Sequence, residues 1–181
     1  MAQYFLINKP YGYLSQFTRE APNHKVLGDL HPFPKQVYPV GRLDRDSEGL
    51  LILTDDKQLN AALLSPARQH PRTYWVQVEG TPTPEALNQL RTGVTIRIKK
   101  KEHHCAPVVV REIPTTETTP IPPRIPPVRY RATVPDTWLE LQLTEGKNRQ
   151  VRRMCAAVGL PVLRLIRVAI EDVRLQELPK S

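Results

Sequence analysis

The chain has 181 residues, with 26 Lys and Arg against 18 Asp and Glu, giving a formal net charge of +8. That length suits one large domain or two small lobes and can bury a core without disulfide staples. Only two cysteines, Cys105 and Cys155, are present, which excludes a secreted disulfide framework, and no apolar run approaches the roughly 18–20 residues of a membrane span.

In chain order, residues 4–7 read as a first strand, followed by the turn Asn8-Lys9-Pro10-Tyr11-Gly12. This start lacks the basic segment and long apolar stretch of a secretory signal, so a soluble, cytoplasmic protein is expected. Residues 50–53 predict a short buried strand, and 56–64 a helix stopped by Pro66. The alternation Tyr-Trp-Val-Gln-Val at 74–78 is a strand signal. A helix opens at Thr83-Pro84-Glu85, with a capping hydroxyl and proline at the first position, and Gly93 ends it. Residues 94–98 and 107–111 are further strands, and 138–143 alternate as a strand half-buried on a sheet. A helix over 148–158, closed by Gly159, precedes a mainly extended segment at 162–170. Residues 24–35 carry no readable signal. The pattern predicts an α+β fold, a mixed and mostly antiparallel central sheet with flanking helices.

Proline is unusually frequent: seven of the 19 fall between positions 114 and 135. Proline lacks an N–H and fixes φ, so residues 113–136 are expected to form an extended, polyproline-like insertion with neither helix nor central strand. Arg124, Arg129 and Arg131 make it a candidate RNA-contacting arm. The alternative is a mobile insertion without a role.

Three segments could carry chemistry. In Gly41-Arg42-Leu43-Asp44-Arg45-Asp46-Ser47-Glu48-Gly49, three carboxylates and two guanidiniums precede an apolar strand, between glycines that allow a tight loop. Arg42 and Arg45 flank Asp44, favouring the anion, and such a carboxylate can serve as nucleophile or general base. A surface loop tied by ion pairs is the bland alternative. In Glu145-Gly146-Lys147-Asn148-Arg149-Gln150-Val151-Arg152-Arg153-Met154, helical periodicity puts Val151, Met154, Cys155 and Val158 on one stripe. Arg149 and Arg153 then point away from the stripe, and Arg152 sits at its edge, where a guanidinium can reach into a cleft. Between positions 147 and 167 there are six basic residues and no acidic one, which fits either a solvated face or a phosphate backbone. His103-His104-Cys105, even with Cys155, lacks zinc-ligand spacing, so no metal site is expected and both cysteines read as small buried apolar residues.

Together these segments resemble the pseudouridine synthases that modify ribosomal RNA, in the branch typified by RsuA. The stretch from Gly41 to Leu51 is similar to the branch's signature around the catalytic aspartate. Arg72-Thr73-Tyr74-Trp75-Val76 resembles a Lys-x-Tyr-x-Val motif, Glu145 to Met154 the third motif, and Leu163-Arg164-Leu165-Ile166-Arg167 the last. Asn8-Lys9-Pro10-Tyr11-Gly12 fits the family's first strand and turn. Arg72 in place of Lys preserves charge, while Lys57 and Glu171-Asp172 depart from common residues of the branch. The resemblance implies one catalytic domain over 1–181 with a central cleft and no S4 RNA-binding domain. It also implies isomerisation of a uridine without a cofactor, and a monomer acting on 23S rRNA or a large-subunit assembly intermediate. It implies that Asp44 is the essential carboxylate, that Tyr74 stacks on the target base, and that Arg152 pairs with Asp44. Leu165 would wall the base pocket, Arg42 would fill the stacking position left by the flipped base, and Lys147, Arg149 and Arg153 would contact phosphates. The competing readings are a synthase for small-subunit rRNA or tRNA, a non-catalytic RNA-binding protein, and a Mg²⁺-dependent hydrolase using Asp44, Asp46 and Glu48.

Overall fold

The computed structural model describes residues 1–65, 70–118, 121–131 and 133–175. These divide into two compact units: residues 1–70 with the C-terminal segment from Arg167, and residues 71–166.

The first unit is built on β1 (Tyr4–Lys9), β2 (Tyr38–Pro39) and β3 (Glu48–Thr54), with α1 (Lys57–Leu64). The end of β9 (Val162–Ile170) and the short β10 (Val173–Arg174) complete it. β1 and β2 both run antiparallel to β3, β1 from Tyr4↔Thr54 to Lys9↔Gly49. Every residue of β3 is buried, as expected of a strand covered on both faces. Its parity sorts the core. Leu51 and Leu53 join Leu27, Val37 and Leu43 against Phe5 and Phe33, whereas Leu50 and Ile52 join Val40 and Ile170. Residues 24–35, unreadable by periodicity, hold a 3-10 turn, Leu27–Asp29, and Phe33, whose ring meets Phe5 edge-on at 5.3 Å. α1 begins where Asp56 accepts from the amides of Gln58 and Leu59 at 3.0 and 3.1 Å. Its predicted stop, Pro66, lies outside the described residues.

The second unit holds β4 (Arg72–Glu79), α2 (Pro84–Thr92), the hairpin β5 (Thr95–Ile98) and β6 (Lys101–His104), β7 (Val109–Glu112), the one-turn α3 (Thr115–Thr118), β8 (Asp136–Leu143) and α4 (Gln150–Ala157). β8 pairs antiparallel with both β4 and β7. Val76, Val78, Leu90, Leu139, Leu141, Met154 and Cys155 form its core. Thr83 caps α2 by accepting from the Ala86 amide at 3.0 Å, with Pro84 in the first turn as predicted. The architecture is α+β with mostly antiparallel pairing, as the alternating patterns require.

Two expectations need correction. The proline-rich segment does contain a helical turn, α3, because its first four residues after Pro114 are free of proline and the Glu117 amide can donate to Pro114 O at 2.9 Å. The α4 helix starts at Gln150 rather than 148, because Arg149 adopts a left-handed backbone, φ 51°, that ends helical geometry on that side.

Candidate active site

In the first unit, Asp44 lies half-buried in the loop that leads into β3. Gly41 and Gly49, both at positive φ (71° and 114°), set its two ends. A β-carbon on Gly49 would stand 2.2 Å from the carbonyl oxygen of Arg167, so only glycine fits. The span between is tied down by backbone groups. Ser15 Oγ accepts from the Leu43 amide at 3.1 Å and donates to Leu43 O at 2.8 Å. The Ser47 amide donates to Asp44 O at 3.0 Å, and Gly12 N to Arg45 O at 2.8 Å. Arg42, exposed, donates to Gln16 Oε1 at 3.1 Å, and Arg45 Nε reaches Gly12 O at 3.3 Å.

Lys9 is the residue that sequence reasoning passed over. It is fully buried, with Nζ donating to Pro10 O and Tyr13 O at 2.8 Å each and to Arg45 O at 3.5 Å. Burial pulls its pKa down to about 8, against the charges of Glu48, Asp46 and Asp44, which favour the ammonium. The signal was present. In β1, Phe5, Ile7 and Lys9 share one face by the two-residue period of a strand, so the lysine is aimed inward.

In the second unit, Tyr74 stands half-buried on β4 opposite Leu141 and packs against the core cluster that also contains Leu165, 6% exposed on β9. Arg152 is half-buried on α4. The stripe predicted for this helix is present: Val151, Met154 and Cys155 are buried and Val158 packs beside them. Lys147 and Arg149 are exposed in the segment before the helix. Arg153 lies back along the surface, with Nε on Asn148 O at 3.0 Å, Nη2 on Asn148 Oδ1 at 3.0 Å and Nη1 on Arg97 O at 2.8 Å. Gln150, buried, fastens the same segment by accepting from the Lys147 amide at 3.0 Å and donating to Glu145 Oε1 at 3.1 Å.

Glu145 itself accepts from Ala106 N at 2.7 Å, and its Oε2 lies 3.0 Å from His103 Nε2. Burial pushes its carboxyl up, but these hydrogen bonds outweigh burial and hold it below the usual range. His103, Cys105 and Glu145 bring possible donor atoms within 4.8 Å of one another, a grouping the spacing of His103-His104-Cys105 did not reveal. Glu145 already accepts three hydrogen bonds there, and the Cys105 thiol is pushed up by burial and by the Glu145 charge. Cys155, also buried, is pushed up to about 12 by burial, and both cysteines are buried small residues as predicted.

The proline-rich segment turns Arg124 and Arg131 onto the protein, while Arg129 is exposed. Arg124 donates to Pro126 O at 2.8 Å, Pro127 O at 3.2 Å and Leu163 O at 3.4 Å, while Arg131 pairs with Glu79. Arg164, buried, donates to Pro122 O at 2.9 Å.

The loop around Asp44 and the tyrosine and arginine segments stand in the order in which they resemble the pseudouridine synthase motifs. The RNA pseudouridylate synthase family profile matches residues 3–157. The chain is 55% identical to the ribosomal large subunit pseudouridine synthase E of Xanthomonas axonopodis pv. citri, across 96% of this chain and 88% of that one. It is 48% identical to the protein of the same name from Vibrio vulnificus, across 96% and 70%. A crystal structure of a pseudouridylate synthase superposes with a TM-score of 0.77 at 26% identity, covering 99% of this chain and 68% of that one. The chain belongs to the RNA pseudouridylate synthase family. Its chemistry is therefore that of an isomerase acting on RNA.

Proposed function

We propose that the chain isomerises a specific uridine of 23S large-subunit rRNA to pseudouridine, with residues 1–181 serving as one catalytic domain. The observation that carries the target is the 55% identity, over nearly the whole chain, to a protein named for the large ribosomal subunit. Support for one catalytic domain comes from the family match, which draws on residues of both units. The substrate is 23S rRNA or a large-subunit assembly intermediate, met by a monomer in the cytoplasm.

The reaction breaks the N1–C1′ bond, turns the base and rejoins it through C5, from which a proton leaves. Nothing is oxidised and no group is lost, so the step needs no cofactor. Asp44 is the essential carboxylate, acting on the sugar at C1′ or at the C2′ proton. Both routes require it ionised and held still, which suits a loop fixed by Gly49, Ser15 and Lys9. Tyr74 stacks on the flipped base, Leu165 walls the pocket, and Arg152 supplies the cation that balances the carboxylate. Arg42 occupies the stacking position that the base vacates, and Lys147, Arg149 and Arg153 take the salt-sensitive phosphate contacts.

The test is tritium release from a 23S transcript labelled at uridine C5, in EDTA, comparing the native protein with Asp44→Asn. Release by the native protein alone supports the reading. Release by both moves the catalytic role away from Asp44, and release from small-subunit rRNA only overturns the target.

A further inference from the structure

The β5–β6 hairpin joins its strands through two residues, Lys99 and Lys100, both in left-handed conformation (φ 49° and 67°). Two-residue turns with positive φ at both positions are normally made by Asn-Gly or Asp-Gly, because a β-carbon is disfavoured there. Two lysines are therefore a poor choice for the turn itself, and a local rule broken at an exposed tip points to function. The charge around it is one-sided. Arg97, Lys99, Lys100 and Lys101 place four cations in five residues, all exposed, with Glu102 facing Arg97 in register as the one acid of the hairpin.

The tip is also held in place. Ile96 is buried in the core of the second unit and Ile98 packs against it, while the Cys105 amide donates to Val94 O at 3.0 Å and closes the open end. On the other side, the Arg153 guanidinium bridges Arg97 O and Asn148, whose neighbours Lys147 and Arg149 are exposed. One guanidinium thus links two cationic segments into a continuous surface. A rigid, one-sided cationic surface matches a polyanion, and the repulsion among its own charges is relieved when phosphates neutralise them.

We propose that the β5–β6 hairpin tip is an RNA-backbone docking element. It grips phosphates of the rRNA flanking the target uridine and extends the contacts made by Lys147 and Arg149. The inference rests on the rRNA reading above. Its effect lies in affinity for the RNA, and it supplies no group to the chemistry.

Two variants test it. Lys99→Asn with Lys100→Gly removes two charges and installs a favourable turn, so it should fold at least as stably as the native protein. Lys99→Gln with Lys100→Gln and Lys101→Gln removes three charges without relieving the turn. Kd for a 23S fragment is measured over a salt series, alongside KM and kcat for tritium release, with Lys35→Gln as an exposed control. The expected result is a Kd and KM raised about 10-fold, and a salt slope reduced by about 0.7 for each phosphate no longer neutralised in single-stranded RNA. Higher thermal stability together with weaker binding in the Asn-Gly variant would be the clearest support. Unchanged Kd and salt slope in both variants, with the native protein active, would overturn the docking proposal and leave the enzyme reading intact. A native protein that releases no tritium while its variants lose RNA affinity would overturn the enzyme reading and leave the docking element standing.

Discussion

The loop that carries Asp44 and the basic segment before α4 are both crowded with cations, yet they use them in opposite ways. Around Asp44 two cations are spent on main-chain oxygens: buried Lys9 donates to the carbonyls of Pro10, Tyr13 and Arg45, and exposed Arg45 to that of Gly12. In the basic segment before α4 and at the helix start, Arg153 does such bracing, on Arg97 O and Asn148 O, whereas Lys147, Arg149 and the hairpin lysines are exposed. Catalysis needs a carboxylate that does not move, whereas RNA capture needs charge that a phosphate can reach. The comparison shows that the count of basic residues in a segment says little until their hydrogen-bond partners are known.

The largest effect should come from Asp44→Asn. It keeps the shape of the side chain but removes the charge, so tritium release should fall by at least about 10³-fold with little change in stability. A variant that unfolds instead would mean the charge serves the fold. Gly49→Ala should be nearly as damaging by a different route. Its β-carbon collides with the Arg167 backbone, and urea denaturation should show a loss of about 3 kcal/mol or more, comparable with overpacking and strain combined.

Lys9→Met sharpens the contrast through pH. In the folded protein Lys9 titrates at about 8 against an ordinary 10.5. The unfolded chain therefore holds the proton more tightly between those values, and native stability should rise as pH climbs through that window. The gain is on the order of 3 kcal/mol at most. The Met variant should lack this rise, so the difference between native and variant should grow with pH, and parallel slopes would count against a buried, depressed lysine. Glu145→Gln should have the smallest effect. The charge that accepts from Ala106 N and Gln150 is removed while the shape remains, and a destabilisation of about 1–2 kcal/mol is expected from weaker hydrogen bonds. Because a carboxylate held below its usual range loses its advantage on protonation, that difference should shrink as pH falls through the acid range.

Much of the fold was legible because local rules and tertiary packing agree. The cap of α2, the alternation of β8 and the apolar run of β3 all stand where their patterns put them. The hairpin β5–β6 was half-read. Its first strand is visible, but Lys99-Lys100 carries neither the glycine nor the asparagine that announces a tight turn, so β6 went unseen. Residues 24–35 fold through aromatic edges and a single 3-10 turn, which leave no periodic trace. In the candidate site, the motif residues could be named from resemblance, but their supports could not. Glu145 meets His103 and Ala106 about 40 positions away in sequence, a contact that no local window contains. In the proline-rich segment, composition does not show that Arg124 would fold back onto the carbonyls of Pro126 and Pro127.

The closure of Gly49 on Arg167 has a consequence for how the protein is made. The Asp44 loop is encoded early, yet the backbone it leans on, and the Arg167 Nε that donates to Leu50 O, come 117 residues later. At translation rates of roughly 5–20 residues per second, the ribosome needs about 6–23 seconds to supply that strand. The second unit, continuous in the chain from residue 71 to 166, is made entirely within that interval, so the first waits incomplete until the whole of the second has been synthesised. The carboxylate proposed for the chemistry is thus among the last parts of a newborn chain to be set in place.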